Sequence, residues 1–88
     1  MTSCQVTVVN GLGLHARAAA RFVSVAGHFE SQIRVARRQR EVDGKSILGL
    51  LLLSAARGST ITITADGPDE GDAMAALQDL VERGFEET

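Results

Sequence analysis

From Ser59 to Ala65 the chain alternates without a break, with Ile61, Ile63 and Ala65 on one side and Thr60, Thr62 and Thr64 on the other. A period of two places these side chains on opposite faces of a strand, one apolar and one able to remain in water. A sheet built from such strands must be covered on its apolar face only. The 88 residues leave room for one layer of helices and for one compact domain spanning residues 1–88. Cys4 is the single cysteine, so no internal disulfide is available and aliphatic packing has to hold the fold.

The remaining segments fit that plan. Val6 and Val8 alternate with Gln5, Thr7 and Val9 as a first strand, which ends at the turn-forming Asn10-Gly11-Leu12-Gly13. Ala16, Ala19, Ala20, Val23 and Ala26 then recur at helical spacing, and Gly27 offers a stop. Gln32 to Ala36, carrying Ile33 and Val35, and Arg40 to Asp43, carrying Val42, read as a hairpin joined by Arg37-Arg38-Gln39. Ser46 is an N-cap for a second helix from Ile47 to about Ala56, ended by Gly58. After the alternating strand, Gly67-Pro68-Asp69-Glu70 opens a last helix with Ala73, Met74, Leu77, Leu80 and Val81 as its apolar stripe and Gly84 at its end. The order βαββαβα predicts an α+β open-faced β-sandwich, a four-stranded mainly antiparallel sheet with three helices on one face.

Composition narrows the function classes. With three Phe and neither Trp nor Tyr, little is available for stacking on bases or sugars. The net charge is −2, yet Arg34, Arg37, Arg38, Arg40 and Lys45 cluster mid-chain while Glu82, Glu86 and Glu87 lie near the C-terminus. That asymmetry points to a protein partner and away from nucleic acid. Met1 to Gln5 lacks a basic and apolar leader, and the longest apolar run, Ile47 to Leu53, is too short to span a bilayer. A monomer without membrane insertion, in a reducing, cytoplasmic setting, is expected. Two histidines and one cysteine without local spacing predict no metal site, and no cofactor motif is present: Gly11 and Gly13 lack the following lysine and Ser/Thr of a nucleotide-binding loop. His28, just past the first helix, reads as a solvated residue.

The informative segment is Gly11-Leu12-Gly13-Leu14-His15-Ala16-Arg17, where a turn delivers a histidine to a helix N-terminus. Ser, Thr, Asp or Asn would normally cap there. Imidazole is instead a nucleophile that titrates near neutrality. The first backbone N–H groups of the helix, at Ala16 and Arg17, favour an anion, and the Arg17 guanidinium adds charge-assisted donors. On this spacing alone an incidental surface histidine fits equally well.

Gly-Leu-His-Ala-Arg at residues 13–17 together with Gly-Lys-Ser-Ile-Leu-Gly at 44–49 resembles the HPr family, the histidine phosphocarriers of the bacterial phosphoenolpyruvate-dependent phosphotransferase system. The resemblance runs through nearly the whole chain, including Gly58-Ser59-Thr60 and Ala65-Asp66-Gly67-Pro68-Asp69-Glu70. It implies a carrier and not an enzyme, with His15 phosphorylated on ring Nδ1 and Arg17 stabilising the phosphoryl group. It further implies an enzyme I-type donor and an EIIA-type acceptor. Ser46 resembles the regulatory serine of part of the family, which implies a serine kinase/phosphorylase as a further partner. Ala18 stands where the family usually has proline. Lys45-Ser46-Ile47 looks like the sugar-transport branch, whereas Gly84-Phe85-Glu86-Glu87 looks like the nitrogen-related branch.

Two other functions fit parts of the pattern. In a small regulatory anion-binding domain, His15 and Arg17 would only contact an effector. A hydrolase using His15 would need a second acid or base, and none lies near in sequence. For the short second helix, Leu50 and Leu53 suit the core. That leaves Ile47, Leu48 and Leu51 as an exposed apolar patch for partner docking.

Overall fold

The computed structural model describes residues 1–86. Its elements are β1 (Thr2–Thr7), α1 (Ala16–Ala26), β2 (Gln32–Arg37), β3 (Arg40–Asp43), α2 (Ile47–Leu52), β4 (Thr60–Asp66) and α3 (Glu70–Glu82), closed by a 3-10 turn at Gly84–Glu86. The sheet order is β1-β4-β2-β3 and every pair is antiparallel. The strand with the strictest alternation, β4, lies between β1 and β2. There its Thr face meets Ser3 and Arg34 across the sheet, while Ile61 pairs with Val6 and Ile63 with both Cys4 and Val35.

The apolar row formed by Val6, Ile33, Val35, Ile61, Ile63 and Ala65 is buried beneath the helices. From α1 come Ala18, Ala19, Phe22 and Ala26, from α2 Leu50, and from α3 Ala73, Met74, Leu77, Leu80 and Val81. Alanines on the inner face of α1 keep that helix close to its neighbours, and Phe22 and Phe85 fill the larger space. The opposite sheet face stays wet, where the Ser3 and Thr64 hydroxyls share a hydrogen bond of 2.9 Å. The expected fold is therefore the observed one.

Three local differences have physical causes. First, β1 begins at Thr2, earlier than its valine pattern indicated, because Thr2 is in register with Ala65. Second, α2 ends at Leu52 and does not reach Ala56. Leu53 and Ala55 are both buried, and the chain turns at Ser54 with φ 50° to seat them, so packing overrides leucine's helix propensity. The exposed carbonyls at this helix end are taken by side chains. Arg37 Nη1 donates to the Leu53 oxygen at 3.2 Å and Arg40 Nη1 to the Leu52 oxygen at 3.3 Å. Third, Leu51, expected to be exposed, is half-buried against the core, and Leu52 points outward at 60% exposure.

Asp69 precedes α3 but makes no side-chain cap to it. Its carboxylate instead accepts the backbone N–H groups of Glu30 and Ser31, both at 2.9 Å, and the Ser31 hydroxyl. These donors, the hydroxyl foremost, hold the Asp69 carboxyl below its ordinary range. Among the described residues no helix is long and apolar enough to cross a membrane.

Candidate functional site

The Asn10–Gly13 turn is rigid enough to aim the residue that follows it. Asn10 Nδ2 donates to the Gly13 oxygen at 2.7 Å, and the Gly13 N–H donates back to the Asn10 oxygen at 3.1 Å. Gly13 has φ 66°, and a Cβ there would lie 2.6 Å from the Ala55 oxygen. Only glycine satisfies both constraints. The Leu14 N–H donates to that same Ala55 oxygen at 2.8 Å while the Leu14 side chain enters the core. His15 comes next, anchored on one side by this loop and on the other by α1.

His15 is the N-cap of α1, with extended backbone angles. Its carbonyl accepts the Ala19 N–H at 2.8 Å, the first regular helical bond. The N–H groups of Ala16, Arg17 and Ala18 therefore precede the helical ladder at its positive end, and of these residues only Ala16 and Arg17 are exposed. Although Ser, Thr, Asp or Asn would normally cap here, the imidazole does so, since ring Nδ1 accepts the Arg17 N–H at 3.3 Å. An accepting Nδ1 carries the lone pair, which leaves the proton of the neutral ring on Nε2. The bond lies at the long end of the range and is easily surrendered. His15 is half-buried, whereas Ala16 and Arg17 are exposed and Ala18 is fully buried. Among the described residues the Arg17 guanidinium has no ion-pair partner.

Ser46 caps α2 as expected, its Oγ accepting the Gly49 N–H at 3.0 Å. Ile47, 40% exposed, and Leu48, 76% exposed, lie outward, and Leu52 and Leu12 add to the exposed apolar surface. Leu52 had a readable signal, since it lies one helical turn beyond Leu48. Leu12 had none, because a loop residue's orientation depends on the turn around it. The structure brings His15, Ala16 and Arg17 together within one helical turn, with Ser46, Ile47 and Leu48 on a separate helix start. His28 is exposed. Glu87 lies outside the described residues. No group of three or more metal-ligating side chains exists among the described residues.

Such an arrangement supplies a nucleophilic nitrogen, first-turn donors and a guanidinium, which together suit a phosphoryl group attached to the ring. The family described as "PTS HPr component phosphorylation site" matches residues 2–83. The phosphocarrier protein HPr of Cupriavidus necator is 48% identical over 87 residues, covering 99% of this chain and 98% of that protein. The phosphocarrier protein NPr of Shewanella violacea is 40% identical over 83 residues, covering 94% and 91%. Among solved structures, HPr-C-His from Thermoanaerobacter tengcongensis aligns with a TM-score of 0.96 at 41% identity, covering 100% of this chain and 99% of that one. A structure described as an HPr dimer from the same organism aligns with a TM-score of 0.79, covering 99% and 100%.

Proposed function

This chain belongs to the HPr family of phosphocarrier proteins, and from that premise we propose that it takes a phosphoryl group onto His15 from an enzyme I-type donor and passes it to an EIIA-type acceptor. As a carrier it is not an enzyme, and turnover needs both partners. The Nδ1 lone pair, held by the Arg17 N–H, is the observation that carries the reading. In the forward step this lone pair forms the N–P bond as the bond from phosphorus to the donor breaks, and that electron pair leaves with the donor. The Arg17 N–H then turns from the ring nitrogen to a phosphoryl oxygen. The Ala16 N–H and the Arg17 guanidinium supply further donors. Transfer onward reverses the geometry, with the N–P electron pair returning to Nδ1.

One copy of the chain is sufficient, since His15 and Arg17 share a single helical turn, and a lone free thiol at Cys4 suits the reducing cytoplasm. Ile47 and Leu48, joined by Leu52 and the edge of Leu51, form the docking surface in this reading. Ser46 is where phosphorylation by a serine kinase would place charge beside that surface and weaken docking. Ring-nitrogen NMR of the phosphorylated protein tests the chemistry. Phosphorus bonded to Nδ1 is expected, and phosphorus bonded to Nε2 would contradict it.

A further inference from the structure

We propose that the cleft between the β2–β3 turn and the C-terminal end of α2 is a second anion site, one that takes a small ligand bearing a diphosphate group. The cleft has a volume of ≈ 740 Å³ and is lined by Arg37, Arg38 and Arg40, with Leu52 and Leu53 beside them. That volume falls within the range of small-ligand sites, roughly 300–1,000 Å³.

Arg37 lies directly opposite Arg40 in the hairpin register, and like charges so placed destabilise a strand pair. Among the described residues no carboxylate is ion-paired with Arg37, Arg38 or Arg40. Glu41 also lines the cleft, but its Oε1 lies 3.5 Å from Arg34 Nη1 and is drawn to that partner. Arg37 and Arg40 each give an N–H to a carbonyl at the end of α2. Both guanidiniums are thereby positioned with most of their donors still unused.

Arg38 supplies an independent sign. It is exposed and holds φ 58° in the turn, a conformation glycine adopts with less strain. A two-residue hairpin turn calls for such a φ whatever its residue; what it does not call for is a third guanidinium at its tip beside Arg37 and Arg40. One phosphate carries a charge of about −1.5 to −2, and a diphosphate about −3, which balances three guanidiniums. Arginine forks also bind phosphate oxygens in pairs.

Titration of the isotope-labelled protein with inorganic pyrophosphate and with orthophosphate, at matched ionic strength, tests the site. The expected result is saturable one-to-one binding with backbone amide shifts at Arg37–Glu41 and Leu52–Ser54. Pyrophosphate should bind roughly tenfold more tightly than orthophosphate. Arg38→Gly should weaken pyrophosphate roughly tenfold while leaving the melting temperature unchanged or higher. Shifts at residues 16–18 would report the His15 end and are read separately, so this outcome is independent of phosphoryl transfer. Failure to saturate, equal affinity for the two anions, or unchanged binding in Arg38→Gly would overturn the proposal. So would shifts spread evenly over Arg34, Lys45 and Arg57, the mark of a loosely held extended polyanion.

Discussion

The backbone N–H of Leu14 donates to the Ala55 carbonyl at 2.8 Å, tying the loop that presents His15 to the segment that leaves α2. Gly13 makes that approach possible, since a Cβ there would lie 2.6 Å from the same oxygen and 2.9 Å from the Ala56 Cα. Gly13→Ala should therefore lower stability by roughly 2 kcal/mol or more. Phosphoryl transfer should fall even at temperatures where the variant is fully folded, because His15 is displaced. Denaturant unfolding paired with a transfer assay measures both effects, and wild-type values in each would show that the loop can relax.

The exposed leucine and its buried neighbour on α2 should behave in opposite ways. Leu48 is 76% exposed and Leu50 is fully buried. Leu48→Glu should change stability by no more than about 0.5 kcal/mol and slow phosphorylation by an enzyme I-type donor roughly tenfold. Leu50→Ala should cost about 2–5 kcal/mol. An unfolded Leu48→Glu would place that side chain in the core and remove the docking surface.

Ser46→Ala removes the acceptor that holds the Gly49 N–H at 3.0 Å and should cost about 1 kcal/mol with no loss of transfer rate. Ser46→Asp retains a cap but sets a charge beside Ile47, so it should slow phosphorylation of His15. Stopped transfer assays at low salt, where screening is least, compare the two. Equal rates would leave Ser46 as a cap alone.

Asp69 makes the fold sensitive to acid. Its carboxyl is held below its ordinary value by the Ser31 hydroxyl and the Glu30 and Ser31 N–H groups. A depressed carboxyl contributes stability that is present above the unfolded-state value and is lost as pH falls through the lower folded-state value. Asp69→Asn should thus flatten the acid limb of the stability curve below about pH 4. A thermal-unfolding series across pH measures this, and an acid limb identical to wild type would show that other carboxylates govern it.

What could be read from the chain, and what could not, follows from the range of the forces involved. The β4 alternation and the α1 alanine stripe are local patterns whose faces survive folding unchanged, so the mainly antiparallel sheet and its helical cover were legible, while the strand order β1-β4-β2-β3 was not read from the chain. The placement of His15 and Arg17 at the start of one helix was legible because both lie in one helical turn. The end of α2 was not, because Leu53 and Ala55 are buried and their carbonyls are held by donors distant in sequence, Arg37 for the first and the Leu14 N–H for the second. The role of Asp69 was not legible either, because only the folded chain brings the Glu30 and Ser31 donors within reach of its carboxylate. Leu51 was expected outside and is half-buried, whereas Leu52, its neighbour on a helix of six residues, is the exposed one.

Incubation with phosphoenolpyruvate and an enzyme I-type donor, followed by intact-mass measurement, tests the central claim most directly. The wild-type protein should gain one acid-labile phosphoryl group, and His15→Ala should gain none. An unmodified wild-type protein, under conditions where the donor phosphorylates itself, would contradict the account, as would a His15→Ala variant modified to the same extent.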